Sequence, residues 1–133
     1  MFWLHGPVLL LALSALALLS VGWVGLSAPQ ELMTPLDISL EGPSAKSEIR
    51  AAYGGMHLAI ALLLLYTAAR VELRRTGLWL VLFFMGGLTV GRFVSLVADG
   101  VPNAFVLRLL LAEGLGTVLA AVLLSRRRAA STA

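Results

Sequence analysis

The chain has 133 residues, 59% hydrophobic and 13% charged, with mean hydropathy +0.94 and a formal net charge of +3. A soluble domain carries about a quarter charged residues, so composition places the chain in the membrane class. The absence of cysteine excludes disulfides and thiolate metal sites, and basic residues confined to short runs at the ends of apolar segments do not make a nucleic-acid footprint.

Val8 to Leu26 is a near-continuous apolar run with Phe2 and Trp3 before it and Trp23 near its far end. A span needs about 20 apolar residues, and aromatic flanks suit the membrane interfaces. A secretory signal peptide would have a basic start and a shorter apolar core. Here no Lys or Arg precedes Lys46, so residues 4–26 are read as a first transmembrane helix. Residues 27–47 form the one extended polar stretch, with Pro29, Pro35, Gly42 and Pro43 as breakers. Apolar residues interleaved with Glu31, Asp37 and Glu41 suit a loop lying on the bundle end. Ser47 is the expected N-cap of a second helix, with Glu48 in its first turn.

Three more spans follow, over 49–69, 78–97 and 104–124, joined by a basic turn at 70–77 and a tight Asp99-Gly100-Val101-Pro102 turn. Residues 125–133 form a tail, frayed from Ala129 onward. The fold class is therefore an all-α membrane protein, a single four-helix bundle. Arg70, Arg74, Arg75 and Arg126, Arg127, Arg128 lie on one side, against Lys46 and Arg50 on the other. Positive-inside bias then puts both termini in the cytoplasm and the 27–47 loop outside.

This topology converts sequence into depth. At about 1.5 Å per residue, His57 and Arg92 lie about 10 Å inside the outer boundary and Glu113 about 13 Å. Three ionisable residues on three helices thus share one layer. Arg50, Tyr53 and His57 are spaced i, i+3, i+7, one helical stripe, and Arg92, Ser95 and Asp99 repeat the spacing on the third span. Charges at this depth must face the interior and pair, which predicts an Arg92–Glu113 pair with Tyr53 and His57 nearby. Such a pair can also serve simply to fix helix register. Arg108 is expected to snorkel toward the surface, with Asp99 as its partner. Gly87 and Gly91 have GxxxG spacing, Ala112 and Gly116 repeat the small-xxx-small pattern, and Gly54 and Gly55 remove bulk on the second span, so all are read as helix-packing positions. With two histidines, a metal centre is not expected, nor is any cofactor. Ser95 has no histidine base at its spacing.

Glu48-Ile49-Arg50-Ala51-Ala52-Tyr53-Gly54-Gly55, Gly86-Gly87, Gly91-Arg92, Ser95, Asp99-Gly100-x-Pro102 and Glu113 together resemble the bacterial integral membrane family known as domain of unknown function 4345. The resemblance runs from Leu32 to Leu124 with a matching first span, and His57 is not among the positions it carries. It implies a four-helix protein of the bacterial inner membrane and no particular activity. The expected function is non-enzymatic: an accessory or amphipathic-ligand-binding protein whose partners are the lipid bilayer, a lipid-like small molecule, and further copies or a larger membrane complex. Two alternatives are a small oligomeric transporter or proton-coupled exporter using Glu113, and a membrane isomerase or hydrolase using Glu113, His57 or Asp99 as acid or base.

Overall fold

A computed structural model describes the backbone of residues 2–129 and the side chains of residues 5–126. The expected aromatic flank at Phe2 and Trp3 and the frayed tail lie outside the described side chains. Among the described residues there are helices and turns and no strand. Lipid offers no partner for backbone polar groups, so a spanning segment must satisfy them within itself, and a helix does so.

In chain order the helices are α1 (Phe2–Ser27), α2 (Pro29–Met33), α3 (Gly42–Ile49), α4 (Met56–Ala69), α5 (Arg74–Ala98) and α6 (Ala104–Ala129). A π-helical segment, Arg50–Gly55, joins α3 to α4 without a break, so the pair forms one continuous span. Four helices are long and apolar enough to cross a membrane: His5–Ser27, Gly42–Ala69, Val71–Ala98 and Ala104–Arg126.

Two boundaries differ from expectation. The second span starts at Gly42, not at residue 49, and Ser47 is interior rather than an N-cap. The reason is Pro43, which sits in the first turn, where its missing N–H is no loss and its fixed φ is already helical. The basic turn is also shorter than 70–77. Arg70 is extended, Val71–Leu73 make one 3-10 turn, and α5 begins at Arg74. Each of the first two long helices then meets an arginine at its C-terminal end. Arg50 Nε donates to Leu26 O at 3.0 Å and Arg74 Nε to Ala68 O at 3.1 Å, where carbonyls lack helical donors and the helix dipole favours a cation.

The 27–47 stretch is ordered by one side chain. Gln30 Oε1 accepts from the Leu40 N–H at 2.8 Å, and its Nε2 donates to Ile38 O at 3.2 Å, folding the segment over the fully buried Met33. Asn103 Nδ2 then donates to Pro35 O at 3.0 Å and Asp37 Oδ2 at 2.9 Å, clasping this segment to the α5–α6 turn.

The helices pack as two antiparallel pairs, α1 with α4 and α5 with α6. The shared hydrophobic core lies in the half nearer the termini, where Leu11 and Ala15 of α1, Leu64 and Ala68 of α4, Leu78 and Val81 of α5, and Ala120 and Leu123 of α6 are buried together. Toward the clasped end α5 has no buried residue beyond Val81.

Candidate functional site

The site begins with a close crossing of two backbones. A Cβ on Gly25 of α1 would lie 2.8 Å from the Gly54 nitrogen and 2.8 Å from the Tyr53 carbonyl carbon, and one on Gly54 would strike the Leu26 side chain. Glycine on both sides allows the approach. Gly22, one turn earlier on α1, meets Leu58 in the same way. Sequence reading singles out Gly54 but misses Gly22 and Gly25. The signal is present as two glycines three apart, late in the first apolar run.

At this crossing the helix takes its π turn. The Met56 N–H reaches back five residues to Ala51 O. The next carbonyl along, Ala52 O, lies 2.9 Å from His57 Nδ1. A carbonyl only accepts, so Nδ1 carries the proton and donates, and Nε2 of the neutral ring is left as an acceptor. The ring is stacked on Tyr53 at 5.4 Å and 15° and set edge-on to Phe84 of α5 at 5.7 Å and 81°. His57 is 8% exposed.

The π turn also redirects Arg50. One added residue rotates α3 by about 100° relative to α4. The expected Arg50–Tyr53–His57 stripe is therefore broken, and Arg50 reaches the end of α1 instead.

Across the bundle, Arg92 of α5 grips Glu113 of α6 with a two-pronged fork, Nε to Oε2 at 2.6 Å and Nη2 to Oε1 at 2.9 Å. The side chains are 23% and 10% exposed. Paired N–H···O bonds to a carboxylate fix orientation as well as distance. The tight turn before α6 sets the register, with Gly100 at φ +95° and Asn103 Oδ1 accepting the Val106 N–H at 3.1 Å as an N-cap. Small residues bring the two helices together. A Cβ on Gly86 would meet Thr117 at 3.4 Å, and one on Gly116 would meet Met85 at 3.7 Å.

Several candidate residues fall outside this layer. Ser95 Oγ donates to Asp99 Oδ2 at 2.7 Å, an exposed pair at the end of α5. Arg92–Glu113 is the ion pair present among the described residues, so the expected Arg108–Asp99 contact is not formed. A Cβ added at Gly87 or Gly91 would have nothing within 4 Å, and one at Gly55 would meet only Arg50 O at 3.9 Å. These three are not packing positions within the chain. The α5 face that carries Gly87 and Gly91 points away from α6, because Gly86 and Arg92 take the side facing it.

The structure joins Tyr53 and His57 of the second span to Phe84 of α5, and separately joins Arg92 of α5 to Glu113 of α6. A family described as a domain of unknown function (DUF4345) matches residues 8–124, which include all of them. The chain belongs to that family. No curated protein and no solved structure matches it.

The charges set the chemistry open to this arrangement. Glu113 neutralises Arg92 and both carboxylate oxygens are engaged, so the pair carries no net charge, while Arg92 Nη1 keeps N–H donors outside the fork. His57 Nε2 has no partner among the described residues, yet no buried side-chain nitrogen or oxygen there is both sealed and unpaired. Nε2 is therefore an acceptor with access to open space.

Proposed function

We propose that the chain is a small multi-pass protein of the bacterial inner membrane that binds a neutral amphipathic molecule at the Tyr53–His57 layer and does not itself catalyse a reaction. The observation that carries this reading is the His57 ring. It is buried, oriented by Ala52 O, and presents an unpaired acceptor, while the Arg92–Glu113 pair is neutralised internally. A hydroxyl-bearing headgroup could donate to Nε2 while its chain lies along the apolar helix faces. An anionic headgroup would meet a guanidinium whose charge Glu113 already neutralises. Glu113 as a coupling carboxylate is less well supported, because both its oxygens are held. Inner-membrane placement is supported by spans that are helices, since outer-membrane spans are closed β-barrels.

Two experiments test the reading. Lipids retained by protein purified from native membranes are compared by mass spectrometry between the wild type and His57→Phe, which keeps the aromatic stack and removes the acceptor. Loss of one hydroxyl-bearing class on substitution is expected, and an unchanged lipid profile rejects the site. Orientation is tested with single cysteines at Ser39 and Ser125 in this cysteine-free chain. An impermeant thiol reagent on intact cells is expected to label position 39 and spare position 125, because the arginine-rich end belongs in the cytoplasm. The reverse pattern would invert the topology.

A further inference from the structure

A second site lies at the other end of the bundle and does not depend on the polar layer. Three arginines crowd the turn between α4 and α5, and two of them are committed. The Arg70 guanidinium sits over the Tyr66 ring, 5.8 Å from its centroid. Arg74 Nε is held by Ala68 O at the end of α4. Arg75 has neither an ion pair nor a hydrogen bond among the described residues. It lines the mouth of a groove of about 220 Å³ between α5 and α6, whose walls are Trp79, Leu82, Ala121 and Leu124. Ser125 completes the rim, but its hydroxyl donates to Val122 O at 3.0 Å, which leaves Arg75 as the charged donor of the lining.

From Arg75 to Leu82 the groove runs about 10 Å along the helix axis. Trp79 stacks on Phe83 at 5.7 Å and 20°, the kind of aromatic pair that sits at headgroup level. An uncommitted cation at interfacial depth above an aliphatic slot is complementary to one class of molecule. We infer that the α5–α6 groove at the arginine-rich end binds an anionic phospholipid, its phosphate on Arg75 and one acyl chain between Leu82 and Leu124. Basic pockets between spanning helices on the cytoplasmic side hold acidic headgroups. A free phosphate would satisfy the arginine but would leave the apolar walls uncovered.

The test is lipid retention by the full chain in nanodiscs containing equal amounts of palmitoyl-oleoyl phosphatidylglycerol and phosphatidylcholine, read by native mass spectrometry after release. Phosphatidylglycerol is expected to be retained about fivefold over phosphatidylcholine. Arg75→Gln should abolish the preference, whereas Arg74→Gln should leave it in place. Ala121→Phe changes an exposed position, fills the groove and keeps the charge. It should lower phosphatidylglycerol retention to the phosphatidylcholine level, and it serves as the deciding variant if Arg75→Gln does not fold. Equal retention of the two lipids by the wild type overturns the proposal, and so does an unchanged preference in Ala121→Phe. Loss of preference in Arg74→Gln to the same degree as in Arg75→Gln would mean a diffuse basic surface and no site. Displacement of the retained lipid by millimolar inorganic phosphate would mean an anion site without a lipid.

Discussion

Where α1 crosses the second span, Gly25 lies against the Tyr53–Gly54 backbone and contact is spread over many atoms. Where α5 crosses α6 in the same half of the bundle, the Arg92–Glu113 fork adds a polar tie that the first crossing lacks. Burial follows the difference: 39% of the α1 window is inside the protein and only 11% of the α5 window. Lipid tails are as apolar as leucine, so hydrophobic burial does not drive spanning helices together. Close backbone approach and a satisfied polar pair are the two remaining means, and the first pair relies on backbone approach whereas the second adds the polar pair. They should fail differently.

The largest effect is expected at the fork. Arg92→Met and Glu113→Gln each leave one polar group without its partner, at a cost of about 3–5 kcal/mol. The double variant should recover part of the loss. Unfolding in mixed micelles read as a double-mutant cycle measures this, and strictly additive losses would contradict the contact.

The glycine crossing should respond to added volume rather than to lost charge. Gly25→Leu drives a side chain into backbone atoms that cannot move aside, and overpacking of this kind costs about 1–3 kcal/mol. The same assay checks it. A loss no larger than that of Gly55→Leu, where space is open, would mean that the backbones do not meet at Gly25.

The smallest effect has the opposite sign. Gly87 and Gly91 have no neighbour within 4 Å of an added Cβ, so Gly87→Ala and Gly91→Ala should stabilise the helix by up to about 1 kcal/mol each. Destabilisation by either would reveal a second copy of the chain seated on that face, which dilution in detergent with crosslinking would show directly.

The parts of this molecule legible in the sequence are those set by composition and depth. Four spans follow from apolar runs, and the Arg92–Glu113 pair follows from two charges at one depth that have to meet. The parts not legible depend on a neighbour or on one backbone turn. Nothing local in Arg50-Ala51-Ala52-Tyr53 signals the π turn that the helix takes there. A straight helix is the default expectation, and it puts Arg50 on the face of His57. Gly87 and Gly91 carry a packing spacing, but spacing does not say which side of α5 meets α6. Gly86, Arg92 and the short turn after Asp99 decide that. Ser47 has a capping side chain, but Pro43 starts the helix first.

The clasp between Asp37 and Asn103 bears on how the protein is made. Its partners are 66 residues apart in the chain, whereas the fork joins residues only 21 apart. At about 5–20 residues per second, Asp37 is synthesised roughly 3–13 s before Asn103 exists. For the last 34 of those 66 residues, from Ala69 to Asn103, α1 and the second span are complete and must hold together unaided, and the Gly25–Gly54 crossing lies wholly within the part already made. The second pair can likewise close its fork from its own residues. The clasp needs only Asn103, which is made 10 residues before Glu113, so it can tie the α5–α6 turn to the first pair before the fork has its second partner.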